Sequence, residues 1–202
     1  MNGDTMARKK QVGRRVEGWK TKSWYKVYTP DNLGKVYIGD TIANDAENVV
    51  GRVMQTTLGE IINDYAKQNV KMRFRIASVA GDSAYTEFLG HELTRDYLRS
   101  MVKRRTSRID CHVPITTKDA RKVVLTVTCY TLSRANLSQA HAIRGAISEK
   151  VLAHAAEGDF NDLINGIVTG EISKEVFKTI KQIFPIRRVE IIKSKVGKTK
   201  VL

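Results

Sequence analysis

Cysteine, proline and long hydrophobic runs are scarce in this 202-residue sequence, which contains two cysteines and three prolines. Two cysteines cannot build a disulfide scaffold, so we expect free thiols in a reducing compartment. No run reaches the roughly 18 apolar residues of a membrane-spanning helix, and the N-terminal region lacks the apolar core of a secretory signal. The sequence therefore predicts a cytoplasmic protein that folds without disulfides or a membrane.

Motifs for catalysis and metal binding are also missing. Cys111, His112 and Cys129 lack the paired spacing of a zinc site, and strand alternation turns His112 away from Cys111. The segment 13–21 resembles a phosphate-binding loop, but Trp19 stands where that loop needs a lysine. No histidine has a sequence neighbour that suggests an acid–base pair. We therefore expect no catalytic residue, no metal ligand and no cofactor.

Positive charge, in contrast, is abundant and clustered. The chain has 35 lysines and arginines against 21 acidic residues, a formal net charge of +14. All of the excess lies in three basic blocks, residues 1–26, 95–108 and 187–202, which together contain 20 basic and four acidic residues. Clustering of this kind favours an anionic partner, most often nucleic acid and less often a membrane surface.

Hydrophobic periodicity predicts an α+β fold, with strands first and helices last. We expect a mainly antiparallel sheet with one basic helix, and the pattern leaves open whether the sheet closes into a barrel. The predicted segments are a disordered basic arm (1–22), one globular domain (23–196) and a basic tail (197–202). Within the domain, they are a β-rich region (23–133), a helical region (134–186) with Ser173 capping its third helix, and a closing strand (187–196).

Alternation within the β-rich region makes two local predictions. Val70, Met72, Phe74 and Ile76 alternate with Lys71, Arg73 and Arg75, which indicates a half-buried strand with a basic outer face. Farther along, a three-residue loop at 119–121 would form a hairpin that places Cys111 opposite Cys129 on its core side.

The second basic block is predicted to be a helix over Leu93–Arg108. At 100° per residue, an apolar face containing Tyr97 and Met101 opposes a stripe of Arg95, Arg99 and Lys103. Thr94 is a suitable N-cap, and Lys103, Arg104 and Arg105 would lie in the last turn, where the helix dipole favours cations. Such a helix can bury one face and present the other to solvent or to an anion.

The two tryptophans, Trp19 and Trp24, lie among lysines at the end of the first basic block. Two interpretations remain open for them. They can anchor the first strand in the core, or they can stack on an unpaired base or a sugar beside a basic groove.

Four stretches together resemble one protein family. They are KTKSWYKVYTP (20–30), GRVMQTTLGEIIND (51–64), FLGHELTRDYLRSMVKRRTSRID (88–110) and IFPIRRVEIIKSKV (183–196). In this order they resemble the S3Ae (eS1) family of small-subunit ribosomal proteins of archaea and eukaryotes, over roughly residues 15–196. Eukaryotic members usually carry a longer lysine-rich C-terminal extension, whereas this chain stops soon after Lys200, so we expect an archaeal-type member.

The resemblance implies a structural constituent of the small ribosomal subunit that supports translation. Family members bind small-subunit rRNA on the platform, near the rRNA 3′ end and the messenger exit, beside neighbouring ribosomal proteins and close to messenger RNA. Positions matched to the family motifs and assigned to RNA binding are Lys20, Lys22, Trp24, Lys26, Arg95, Arg99, Lys103, Arg104, Lys193 and Lys195. Charge alone adds Lys9, Lys10, Arg14, Arg15, Arg105 and Arg108.

Two other classes of function are weighed against this one. A free-standing RNA-binding regulator predicts a self-contained base-reading motif, and none is recognisable in the sequence. A nucleic-acid-processing enzyme predicts carboxylates or histidines grouped beside the basic residues, and the sequence shows no such group. Both remain as alternatives to the ribosomal role.

Overall fold

The computed structural model describes Gly18 and residues 22–197, an α+β structure with eight strands and five α-helices in that part of the chain. The strands are β1 (Ser23–Tyr28), β2 (Tyr37–Ala43), β3 (Val53–Thr57), β4 (Val70–Ala80), β5 (Ser83–Leu93), β6 (Arg108–Thr116), β7 (Lys122–Thr131) and β8 (Ile186–Val196). The helices are α1 (Leu58–Ile62), α2 (Arg95–Met101), α3 (Leu137–Glu157), α4 (Phe160–Thr169) and α5 (Glu171–Lys181).

All eight strands belong to one mixed sheet. Its main order is β2–β1–β5–β8–β7–β6, and β4 pairs with β5 and with β3. Every ladder is antiparallel except the short parallel one between β1 and β5. Between β2 and β3, where a barrel would close, Arg52 donates hydrogen bonds to the Ile42 carbonyl and the Thr41 hydroxyl in place of a strand ladder. The predicted α+β class is confirmed, and the sheet is open.

The larger core lies between α3, α4, α5 and the inner faces of β6, β7 and β8, and it extends to α1, β4 and β5. Ile143, Ile147 and Val151 recur along one face of α3 and are buried, as periodicity predicts. Each fully buried aliphatic side chain of this kind stabilises the fold by about 1.5–3 kcal/mol relative to an exposed one. Helix packing therefore leaves the opposite face of these strands to solvent.

A smaller core lies under the first half of the sheet. It consists of Tyr25, Val27, Ala43, Val49, Ile76 and Ala84, with Met54 packed against it. Tyr25 and Val27 alternate with Trp24 and Lys26, so β1 buries one face and exposes the other. The first strand is thus anchored by Tyr25 and Val27, and Trp24 is 59% exposed. The interpretation of Trp24 as a core anchor is wrong.

The β6–β7 hairpin has a different register from the predicted one. Cys111 faces Val127, and Cys129 faces Ile109, because five residues rather than three separate the strands. The loop is closed by a hydrogen bond from the Thr117 amide to the Arg121 carbonyl. Both cysteines are free and buried as expected, and burial raises the pKa of the Cys129 thiol to about 12.

The start of α5 also differs from the prediction. The helix begins at Glu171 rather than after Ser173, because Gly170 adopts a left-handed conformation (φ 77°) and turns the chain directly from α4 into α5. Glycine tolerates this conformation without the steric cost of a Cβ atom. Ser173 consequently lies inside the first turn, and its predicted role as the N-cap is wrong.

A very close approach of two backbones occurs where β5 meets β8. Leu89 is an extra residue in β5, between Phe88 opposite Phe74 and Gly90 opposite Arg73. A Cβ atom on Gly90 would lie 2.2 Å from the Ser194 carbonyl oxygen. Only glycine therefore fits at this position without displacing β8.

We expect Gly90→Ala to lower the free energy of unfolding by about 2 kcal/mol or more, since β8 must move to admit the methyl group. Gly145→Ala is the matched control, because Gly145 lies on the exposed side of α3 with no atom near its Cβ position. That substitution should stabilise the protein by about 0.5–1 kcal/mol through helix propensity. Denaturant unfolding measures both, and equal effects of the two substitutions would contradict the packing argument.

Candidate nucleic-acid interface

The outer face of the sheet presents a row of polar side chains that crosses five strands. Register aligns Lys71, Glu92, Lys193, Thr126 and His112 on β4, β5, β8, β7 and β6. The neighbouring residues along each strand point into the core, as period-2 alternation requires. Strand pairing thus brings basic residues that are distant in sequence onto one continuous surface.

Glu92 lies at the centre of this surface and holds two cations. Its Oε2 atom accepts hydrogen bonds from Arg73 Nη2 at 2.6 Å and from Lys193 Nζ at 3.2 Å. The three side chains are about one-third exposed, so each ion pair contributes at most about 1 kcal/mol of stability. Glu92 therefore matters mainly because it fixes the positions of Arg73 and Lys193, whose other N–H groups can bind a second anion.

A groove of about 490 Å³ runs beside Glu92 between the sheet and α2. Its lining includes four basic side chains and two acidic ones: Lys71, Arg73, Arg95, Arg99, Glu92 and Asp96. Arg95 and Arg99 are one helical turn apart, about 6 Å along the axis, and both are exposed. The groove thus unites the basic stripe of α2 with the basic face of β4.

The predicted helix over Leu93–Arg108 is shorter than its periodicity indicates. It ends at Met101, because Val102 adopts an extended conformation (ψ 126°) after its amide binds the Arg99 carbonyl. Thr94 is the N-cap residue as expected, although its side chain makes no capping hydrogen bond. Lys103 therefore lies beyond the helix, and its alignment with Arg95 and Arg99 is wrong.

The residues after α2 form an exposed connection into β6 rather than a last helical turn. Lys103, Arg104 and Arg105 are all exposed, and Arg105 has a positive φ of 60°. Arg108 opens β6 and donates to Asp110 Oδ1 at 2.9 Å, which raises the pKa of its guanidinium. The predicted placement of these cations in a helix is wrong, although all four reach the surface.

The remaining predicted site residues divide between described and undescribed positions. Lys22, Trp24, Lys26 and Lys195 are exposed, and Lys193 is half-buried beside Glu92. The other predicted residues lie outside the described part of the chain: Lys9, Lys10, Arg14, Arg15 and Lys20.

Sequence reasoning missed Lys71, Arg73 and Glu92 as site residues. The alternation of β4 already indicates its basic outer face, so Lys71 and Arg73 were detectable from that signal. Glu92 carried no such signal, because its role depends on Arg73 and Lys193, which lie 19 and 101 residues away in sequence.

On the core side of the sheet, a buried histidine joins β5 to β8. His91 is 3% exposed, and its Nε2 atom lies 3.0 Å from the Ile191 carbonyl. A carbonyl can only accept, so Nε2 carries the proton and Nδ1 accepts from the Ser194 hydroxyl at 2.6 Å. The Ser194 oxygen accepts in turn from the His91 amide, and burial lowers the pKa of the imidazole.

Within residues 22–197, no group of three or more histidine, cysteine or acidic side chains is placed to hold a metal ion. None of the helices described is long and apolar enough to cross a membrane.

The fold and this surface define a class of protein. It is a basic α+β protein whose open sheet is covered by helices on one face and carries a cationic groove on the other. Such a surface is suited to binding an extended polyanion.

The chain belongs to the Ribosomal S3Ae family, whose model matches residues 10–200. It is 68% identical, over 191 residues and 95% of each chain, to the small ribosomal subunit protein eS1 of Methanoregula boonei. The proteins of the same name from Methanosphaerula palustris and Methanospirillum hungatei are 62% and 59% identical, over 95% of this chain and 96% of theirs. The resemblance to archaeal-type members of the family is confirmed.

Because the pKa of His91 is lowered in the folded state, we expect stability to fall as the pH drops below about 6.5, the ordinary value of histidine. The unfolded chain then binds a proton that the buried imidazole resists. The free energy of unfolding should fall by up to about 1.4 kcal/mol per pH unit from this group.

Denaturant unfolding between pH 5 and 8 measures this contribution. His91→Asn should flatten the pH dependence relative to the wild type, whereas His141→Gln removes an exposed histidine of α3 and should not. A His91→Asn profile parallel to that of the wild type would contradict the assignment.

Proposed function

We propose that this protein is a non-catalytic structural constituent of the small ribosomal subunit and that it binds small-subunit rRNA through its cationic groove. Membership of the S3Ae family and the names of its relatives support the ribosomal role. The observation that carries the RNA-binding assignment is the meeting of Arg73, Arg95 and Arg99 in one groove, beside Lys193 and Lys195.

The geometry of the groove suits RNA phosphates better than a single small anion. Its cations lie on two elements, the β4 strand and the α2 helix, and border a groove that is open to solvent. Arginine presents several N–H donors in one plane, so Arg73 can hold Glu92 and still donate to a phosphate oxygen. A polyanion that neutralises several of these cations gains affinity by releasing bound counterions.

The other basic blocks extend the proposed contact surface. Lys22, Lys26, Lys103, Arg104 and Arg105 would neutralise further phosphates, and so would the basic residues of 1–22, which we propose to be an arm that precedes the globular domain. The finer location follows the family resemblance: the platform, near the rRNA 3′ end and the messenger exit. There the protein would lie beside other small-subunit proteins and messenger RNA, in the cytoplasm.

The free-standing regulator and the nucleic-acid-processing enzyme remain second candidates without a specific observation in their favour. Both carboxylates of the groove have a structural role that involves no catalysis. Glu92 holds Arg73 and Lys193, and Asp96 lies in the first turn of α2, where the helix dipole favours an acid.

We expect Arg95→Gln combined with Arg99→Gln to weaken binding to small-subunit rRNA and to reduce its salt dependence. The slope of log K against log salt should become shallower by about 0.7–0.9 for every phosphate that the variant no longer neutralises. Binding of a labelled rRNA fragment, titrated at several salt concentrations, measures both quantities.

Lys174→Gln combined with Lys178→Gln is the matched control. These lysines are also exposed and one helical turn apart, but they lie on α5 and line a neighbouring cavity rather than the groove. Both double variants remove two positive charges, so they separate local binding from net charge. Equal reductions of affinity and slope in the two variants would show that the groove has no special role.

A further inference from the structure

Three tyrosine rings stand side by side on the outer face of the first half of the sheet. Tyr37 on β2, Tyr28 on β1 and Tyr85 on β5 occupy neighbouring register positions. The ring centroids of Tyr28 and Tyr37 are 6.1 Å apart, and those of Tyr28 and Tyr85 are 6.4 Å apart. We call these three residues the tyrosine row.

The tyrosine row lies on the solvent side of the sheet rather than in a core. Tyr37 is 50% exposed and Tyr85 is 41% exposed, which is unusual for side chains that could bury most of their area. A hydrogen bond to Asp40 raises the pKa of the Tyr37 hydroxyl. Cross-strand contacts between the rings stabilise the sheet, but they leave about half of Tyr37 and two-fifths of Tyr85 exposed and free to bind a ligand.

The same face of β1 continues the row with a cation and a second kind of aromatic ring. Trp24 and Lys26 alternate with the buried Tyr25 and Val27, and both are exposed beside Tyr28. From Trp24 to Tyr28 the strand extends about 13 Å. A strand that presents indole, ammonium and phenol in turn can stack bases and neutralise a phosphate between them.

The tyrosine row is joined to the cationic groove along β5. Tyr85 and Glu87 point outward from β5, and Glu87 pairs with Arg75 at 3.3 Å. Gly90, which pairs with Arg73 of the groove, lies about 16 Å from Tyr85 along β5. A single RNA strand bound in the groove could therefore reach the tyrosine row without leaving the sheet.

The surroundings of the row favour a nucleic acid over an apolar protein partner. The residues paired with Lys26 on the two neighbouring strands are Asp40 and Ser83 rather than large aliphatic side chains. Aromatic rings with polar and cationic neighbours are typical of surfaces that stack unpaired bases, whatever the base sequence.

We propose that the tyrosine row, with Trp24 and Lys26, is a stacking site for unpaired bases of single-stranded RNA. This inference rests on the proposed RNA-binding function and adds a second surface to it. The groove binds the phosphate backbone, and the row selects single-stranded over double-stranded segments because bases in a duplex have no free face.

The test measures binding of the full chain to two probes, a 12-nucleotide oligoadenylate carrying one 2-aminopurine and a blunt-ended RNA duplex without unpaired nucleotides. Tyr37→Leu combined with Tyr85→Leu should weaken oligoadenylate binding at least about five-fold, because stacking on an aromatic ring contributes that much or more per base. It should also reduce the quenching of 2-aminopurine, and leave duplex binding and the salt slope unchanged. The corresponding phenylalanine variants keep the rings and should bind as the wild type does.

Tyr65→Leu is the control, because Tyr65 is 86% exposed outside the row. If the double leucine variant does not fold, Trp24→Leu tests the same site, since its indole is largely exposed. Unchanged oligoadenylate binding in these variants would overturn the proposal, and so would an equal reduction for both probes. The proposal would also be overturned if cross-linking within the small subunit joined the tyrosine row only to other proteins and not to RNA.

The groove variant, Arg95→Gln with Arg99→Gln, separates this proposal from the previous one. If it binds both probes normally while the leucine variant no longer binds oligoadenylate tightly, the proposed function of the groove fails and the stacking site stands. The reverse result removes the stacking site and keeps the groove.

Discussion

The junction between β5 and β8 is the constraint on which the rest of the structure depends. Among the described strands it is the only ladder that joins the first half of the sheet to the second, and it consists of three residue pairs. Gly90 lets the two backbones approach closely, and His91 adds buried hydrogen bonds to Ile191 and Ser194. The larger hydrophobic core crosses this narrow ladder, because Phe74 and Phe88 of the first half pack into it together with residues of β6, β7 and β8.

The same junction assembles the candidate interface. Alternation along β5 and β8 turns His91 and Ser194 toward the core and Glu92 and Lys193 toward solvent. The same strand register therefore fixes both the buried hydrogen bonds and the exposed ion pair. Arg73 reaches Glu92 from β4, in the first half of the sheet, whereas Lys193 reaches it from the second. A slip of β8 by one residue against β5 would turn Lys193 toward the core and separate it from Glu92.

Sequence patterns were reliable where a local period decides the outcome. The alternation of β4 correctly predicts a basic outer face, and the apolar spacing of α3 correctly predicts its buried side. Patterns failed where a chain reversal intervenes. The periodicity around Leu93–Arg108 continues past Met101, but the chain must leave the helix there to enter β6, so Lys103 falls outside it. The predicted pairing of Cys111 with Cys129 is wrong because the alternation of the two strands does not reveal the length of the loop between them.

The sequence by itself determined the class of the fold, the faces of its strands and helices, the clustering of positive charge and, through four ordered motifs, the family. These properties are local or compositional, so they can be read without knowing which elements touch. Only the tertiary structure decided that Arg73, Glu92 and Lys193 meet, that Arg95 and Arg99 complete their groove, and that three tyrosines form a row. These groupings depend on strand pairing between residues that lie up to 101 positions apart in sequence. The burial of distant segments against one another selects that pairing, and no local periodicity in the sequence reveals it.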